Sequence, residues 1–320
     1  MQLPALRLAN TCKVVEELVG NLLHTWHLIT LKTALLRLEP CLGVGSTFEG
    51  WSPRRDTVYS LLVPLKPPAG HCFHLELGTG GELPERHGCV RVELQCLCRR
   101  QQLLRDTRCF LHQPEAELRS NEGPCLLQYL CTDSCLDVEK SARWLQLVVP
   151  DAWQLLPASY HCQLTVLPSS HSCKVLMENV SGRSIEILLG VQQGDSGVFL
   201  TSQEARAGLT SSTTWLESCT VPEMLFFRFV ATQAPWHSCH LTGLQLFAHL
   251  LEGTGFSTNC LKTVLMHLLT SWHRGDLREQ LDDVLQYLQH YLEVPREVLQ
   301  PLVFQIASLL NLFHSLGSHN

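Results

Sequence analysis

Long apolar runs are missing from the 320 residues; the longest, SLLVPL at Ser60–Leu65 and MLFFRFVA at Met224–Ala231, fall far short of the roughly 20 residues that span a bilayer. No transmembrane helix is expected. The opening MQLPALRLANTCKVVEE has no basic stretch followed by an apolar core and a small-residue cleavage site, so no secretory signal is read. Charge is also scarce, at 17% of residues, and its net value is −6. The nearest approach to a basic cluster, Arg99, Arg100, Arg105 and Arg108, is interrupted by QQLL and Asp106. A nucleic-acid interface needs a denser basic face than this, and the segment reads as a solvated surface. No internal repeat or low-complexity tract is found.

Apolar residues make up 45% of the chain, which is long enough for two domains, or one bilobed unit, with a substantial core. Cysteine is abundant, at 15, but the count is odd and the spacing is not that of a short disulfide-rich domain. Buried free thiols in a reducing compartment are expected. The candidate zinc pairs CLC, CTDSC and HSCH (His237–His240) are each isolated, so no metal is expected.

Periodicity divides the chain in two. From Thr11 to Leu38, Val14, Val15, Leu18, Leu22, Trp26, Ile29, Thr33 and Leu36 recur at helical steps before Pro40, predicting a long spine helix. TVYSLLVPL reads as a strand ended by KPPAG, and HCFHLEL (His71–Leu77) as its hairpin partner. GCVRVELQCLC and SYHCQLTVL add strands, PCLLQYLC a short helix, and SCKVLMENVSGRSIEILLGVQ two strands divided at NVSGR. Beyond SQEARAGLTSSTT the pattern turns helical, through VPEMLFFRFVATQ, HLTGLQLFAHLL, TNCLKTVLMHLLTSW and DLREQLDDVLQYLQHYLE. The expected class is α+β: residues 1–205 form a mixed sheet with a spine helix, and residues 206–320 an all-helical lobe.

Together, VGSTFEGW, LLVPLKPPAGHCFHLEL, GVQQGDSGVFLTSQEA, GTGFSTNCLKTVLMHLL and the late NLF resemble the inositol trisphosphate receptor-interacting protein-like family. That family falls in the wider male-abnormal (Mab) domain group, which includes cyclic GMP-AMP synthase. The resemblance runs from about residue 11 to 315 and implies a nucleotidyltransferase-like sheet domain followed by a helical domain.

The active enzymes of the wider group hold a nucleotide triphosphate on a Gly-Ser loop and two magnesium ions on three carboxylates. Two such ions, roughly 3.5–4 Å apart, clamp the attacking and leaving oxygens of a phosphoryl displacement, and magnesium demands hard oxygen ligands. Two of the acids come from one strand as Glu-x-Asp, because residues i and i+2 share a face. Carried onto this chain, those positions fall on Val58 and Ser60, and the third on Glu186. One acid of three is present, and the resemblance therefore implies a pseudoenzyme without cofactor or metal. Asp56 enters that strand's site only if the strand slips by a full dipeptide, and then stands beside Thr57 and Val58.

Gly45 and Ser46 mark the phosphate-loop remnant. They present backbone N–H groups to an anion at a helix start, or else Gly45 lets the chain turn and Ser46 caps the next helix. GDSG, with Ser196, matches a protease nucleophile segment but lacks the fold around it and reads as a turn. His249 and His267 lie on apolar helical stretches with no visible nucleophile or acid partner, as core or boundary histidines do. The Leu277–Leu292 stripe packs into its own lobe or serves as an interaction helix.

Three functions stay open. The first is a non-catalytic interaction protein, with the inositol trisphosphate receptor as the partner that the resemblance implies. The others are a divergent magnesium-dependent nucleotidyltransferase and a nucleotide or inositol-phosphate sensor without turnover. The resemblance also implies membrane association, although the family's N-terminal anchor and coiled coil are absent from this sequence; a cytoplasmic protein is the alternative. Relatives carry an additional segment where this chain passes from Glu293 directly to Val294.

Overall fold

In a computed structural model of the chain, the described residues are 2–30, 36–50, 58–68, 70–78, 86–95, 126–178, 183–204, 211–233, 262, 263 and 266. They form an α+β structure around one curled mixed sheet. The chain divides into two compact units, Met1–Gly50 with Asp56–Leu225, and Trp51–Arg55 with Phe226–Asn320.

Helix α1 (Gln2–Thr30) is the spine, displaced toward the N-terminus relative to the periodicity prediction of Thr11–Leu38. Pro4 lies in its first turn, where the missing N–H has no helical partner to lose, so the helix begins well before Thr11. At the other end, Arg37–Leu38 is not helix but strand β1, paired with Leu65 and Lys66. The buried stripe of α1 is Cys12, Val15, Val19, Leu22 and Leu23, with Leu8, Leu18 and Trp26 partly buried against the core. Val14 and Ile29, expected on that stripe, lie on the solvent side at 52% and 51% exposure.

Strands β2 (Leu42–Val44) and β3 (Val58–Lys66) pair antiparallel, and β3 runs parallel to β10 (Arg183–Gln192) from Val58↔Ser184 to Pro64↔Gly190. The far edge of β10 is shared by β9 (Cys173–Met177) and β11 (Phe199–Thr201), both antiparallel. β11 continues through β12 (Trp215–Ser218) to β5 (His87–Leu94), which carries β4 (His71–Leu77) and β7 (Cys135–Leu136). β6 (Cys131–Thr132) pairs with β7 at one end of the strand order, which has β1 at the other, and β8 (Leu164–Leu167) pairs with β9.

HCFHLEL is thus a strand, as expected, but its partner is β5 rather than β3. Both edges of β3 are already taken, one by β10 and the other by β2 and β1, which leaves no ladder for β4. Pro64 lies inside this central strand, a position usually closed to proline. On the second edge it falls between the last residue paired to β2, Leu62, and the first paired to β1, Leu65, so its absent N–H costs no ladder bond there. Its carbonyl accepts from the Glu39 N–H at 2.9 Å.

Helices cover one face of the sheet. Tyr59, Leu61 and Val63 of β3 and Ile185, Ile187 and Leu189 of β10 are buried with the α1 stripe and with α3 (Val138–Gln154). Helix α3 contributes Val138, Leu145, Val148, Val149 and Ala152 at helical spacing, and Trp144 meets Trp26 of α1 edge to face at 6.3 Å. A short helix, α2 (Leu126–Tyr129), and a 3-10 turn at Pro157–Tyr160 flank it. Each leucine fully buried in this layer contributes on the order of 1.5–3 kcal/mol. The opposite face has a smaller cluster of Val44, Leu62, Phe199 and Val221, the last from α4 (Thr220–Gln233).

In the second unit, Phe226 and Phe227 stack edge to face at 5.5 Å, with Phe227 fully buried. The sequence expectations for His249, His267 and the Leu277–Leu292 stripe lie outside the described residues, as do Asp56 and the four arginines from Arg99 to Arg108. No described helix is long and apolar enough to cross a membrane.

Nine described cysteines are all free thiols. Burial pushes the Cys173 thiol up to about 12, and burial with the nearby Glu16 pushes Cys41 up to about 11. Cys173 is therefore expected to resist alkylation until the protein unfolds. Mass-spectrometric labelling along a urea series checks this, with rapid native labelling of Cys173 as the contrary result.

Candidate functional site

The register of β3 against β10 decides which side chains meet. Ser60 is the direct partner of Glu186, and Val58 of Ser184, so Val58, Ser60 and Glu186 stand together on the sheet face opposite α1. The two stretches on which the resemblance places these three positions are thus neighbours in the sheet. Burial follows the pleat: Val58 is exposed, Ser60 and Glu186 are half-buried, and the intervening Tyr59, Leu61 and Ile185 are in the core.

The carboxylate of Glu186 already has partners. The Ser172 hydroxyl donates to its Oε1 at 2.9 Å, and Lys174 Nζ lies 3.4 Å from the same oxygen. Lys174 is the cross-strand partner of Glu186 on β9, and Ser172 just precedes that strand. Ser172 is held in turn by Ser169, whose hydroxyl accepts from the Ser172 N–H at 3.2 Å. These partners were not identified from sequence; the signal was the SSHSCK run leading into a strand that closes a hairpin at NVSGR. Since both ions are partly solvated, the pair contributes little, and Glu186→Gln is expected to cost less than about 1 kcal/mol. A urea midpoint close to wild type checks it.

The Gly-Ser segment follows β2, whose Val44 pairs with Ser60. Gly45 has φ of +82°, which favours glycine, and its carbonyl accepts from the N–H groups of Phe48 and Glu49, both at 3.0 Å. Residues 45–50 are turn and bend. The Thr47 hydroxyl donates to the Val58 carbonyl at 2.8 Å, tying the turn to the first residue of β3.

Gly43, within β2, is required by close approach: a Cβ there would lie 2.2 Å from the Phe48 ring and 2.6 Å from Glu16 Oε1. The Gly43 N–H also donates to that Glu16 oxygen at 3.2 Å. Gly43→Ala is expected to destabilise the protein by about 1–3 kcal/mol through overpacking. Thermal unfolding of the variant checks it, and an unchanged Tm counts against this packing.

The QQGDSG segment is the turn between β10 and β11, with Gly194 at φ +58° and the Gln193 N–H donating to Val198 O at 2.9 Å. The Ser196 hydroxyl is exposed and donates to the Gln193 carbonyl at 2.6 Å. It stabilises a turn and has no base to activate it among the contacts described.

Among the described residues, the group at Val58, Ser60 and Glu186 presents one carboxylate, paired with a lysine, beside a serine and a valine. Two-metal phosphoryl transfer demands a cluster of acids with few internal cations. No family model matches the chain. By direct comparison it is similar to Inositol 1,4,5-trisphosphate receptor-interacting protein-like 1 of Rattus norvegicus, at 35% identity over 96% of this chain and 61% of that protein. It is also similar to Inositol 1,4,5-trisphosphate receptor-interacting protein of Homo sapiens, at 30% identity over 89% of this chain and 57% of that protein, and to the Danio rerio protein of the same name at 29% over 94%. Over the shared region, the chain is similar to members of the inositol 1,4,5-trisphosphate receptor-interacting protein family. It spans about three fifths of the length of these relatives.

Proposed function

We propose that the chain is a non-catalytic interaction protein, a nucleotidyltransferase-like sheet followed by a helical lobe, whose surface binds a membrane-associated protein of the inositol trisphosphate receptor type. One observation carries the reading. On the face where the enzymes of the wider group gather three carboxylates, Val58 and Ser60 stand in register beside a Glu186 that is engaged by Ser172 and Lys174. Adding a magnesium ion there would set a dication against Lys174, with Glu186 as the one carboxylate among the described residues to hold it.

The parallel β3–β10 pair, with the Gly45 turn leading into it, supports descent from a nucleotidyltransferase-like sheet whose scaffold outlived its chemistry. The names of the relatives support the receptor as partner. Purified chain is expected to bind detergent-solubilised receptor with a Kd of about 10 μM or tighter, equally well with and without magnesium and ATP. Binding that is absent, or that demands a nucleotide, counts against the proposal.

A further inference from the structure

On the β4–β5 hairpin, separated from β10 by β11 and β12, three side chains with metal-binding atoms converge. Cys72 and His74 are two residues apart and share one face of β4, and Glu93 of β5 is the direct cross-strand partner of Cys72. Cys72 Sγ lies 3.2 Å from His74 Nε2, which lies 3.3 Å from Glu93 Oε2, and all three ligand atoms fall within 4.8 Å of one another. In a tetrahedral zinc site with Zn–S of about 2.3 Å and Zn–N and Zn–O of about 2.0–2.2 Å, neighbouring donors are separated by roughly 3.4–3.6 Å. The separations of 3.2 and 3.3 Å lie just below that and the third is within 4.8 Å, all within the reach of small rotamer adjustments.

We propose that Cys72, His74 and Glu93 form a surface site for a zinc-class divalent cation, with the fourth position open to water or to a ligand atom from a partner. The donor set selects the metal class: a thiolate and an imidazole suit zinc or cobalt and are poor ligands for magnesium or calcium. The hairpin supplies a firm base, because the alternate residues Phe73 and Leu75 pack against the main core and Val90 of β5 is fully buried.

The adjacent cation is accounted for as well. Arg91 is the cross-strand partner of His74, but it is held by both oxygens of Glu76, with Nη2 3.0 Å from Oε2, so Glu93 is left to the Cys72–His74 pair. Burial and the Glu93 charge push the Cys72 thiol up, so it is protonated before binding. On coordination the S–H proton passes to solvent and the thiolate sulfur forms the bond to the metal, with no change of oxidation state.

The test uses the full chain, stripped of metal and kept reduced, and titrated with Co2+ and with Zn2+ against a chromophoric chelator. The expected result is a thiolate-to-cobalt charge-transfer band that loses one site's amplitude in Cys72→Ser and keeps it in Cys219→Ser, which alters an exposed cysteine elsewhere. His74→Ala and Glu93→Gln are each expected to weaken zinc binding by about 100-fold or more, beyond the 10–100-fold typical of losing a partner behind the ligands. Circular dichroism of each variant confirms folding. No band in the wild type, a band of unchanged amplitude in Cys72→Ser, or zinc affinities in the other two variants within about threefold of wild type overturns the site.

Discussion

Replacing Trp215 with alanine is expected to destabilise the protein by about 4 kcal/mol, the middle of the range for a buried aromatic residue. Trp215 is fully buried on β12, the strand that joins the β10–β11 side of the sheet to the β5 hairpin. Its indole Nε1–H donates to the Leu136 carbonyl at 2.8 Å, fixing β12 to β7 across a long sequence separation. Alanine removes the ring, opens a cavity and leaves the carbonyl without its donor. With an m value of about 3 kcal/mol/M in urea, the midpoint falls by more than 1 M. Trp215→Phe separates the two contributions: it restores most of the volume but not the donor, and is expected to cost about 1–3 kcal/mol. A midpoint in the alanine variant within about 0.3 M of wild type would contradict the role given to this side chain.

Asp137→Ala is expected to be the second most damaging change, at about 3 kcal/mol. Asp137 is the N-cap of α3; its Oδ1 accepts from the Lys140 N–H at 3.0 Å, and its Oδ2 from the hydroxyls of Thr132 and Ser212, each at 2.7 Å. Loss of an N-cap costs about 1 kcal/mol, and two hydrogen bonds to a charged acceptor add about as much each. Burial raises the carboxyl's pKa, but the hydrogen bonds from Lys140, Ser212 and Thr132 and the Lys140 charge outweigh it, so the group is held below the usual carboxylate range.

The sign of the pH dependence follows. A depressed folded-state pKa contributes stability that is complete above the unfolded value of about 3.9 and is lost as pH falls through the lower folded value. The advantage of wild type over Asp137→Asn should therefore be constant from neutral pH down to about 5 and shrink below about 3.9. Urea midpoints of both proteins across that range test it, and an advantage that grows on acidification would contradict the assignment.

Local signals in the sequence located several elements correctly and said little about their partners. The β9–β10 hairpin was legible because alternating residues flank a turn at NVSGR, and the observed strands stop at Met177 and resume at Arg183. HCFHLEL reads as a strand, but alternation reports exposure and not which edge is vacant, so the sequence alone pairs it with the neighbouring β3. Helix α3 was not identified: Pro150 and the β-branched Val148 and Val149 argue against a helix interior, and tertiary burial of Trp144, Leu145 and Ala152 overrides them. β12 escaped notice because four residues ending in Glu217 and Ser218 have no strand signature of their own. The candidate site divides similarly. The family resemblance implies the positions of Val58, Ser60 and Glu186, whereas the Ser172 and Lys174 contacts depend on a register that only pairing fixes.

The central claim, a scaffold without phosphoryl-transfer chemistry, is tested most directly by incubating the purified chain with magnesium or manganese and all four nucleoside triphosphates while following pyrophosphate release. The expected rate is that of a protein-free control, unchanged by Glu186→Gln. Metal-dependent product that disappears in Glu186→Gln would contradict the account.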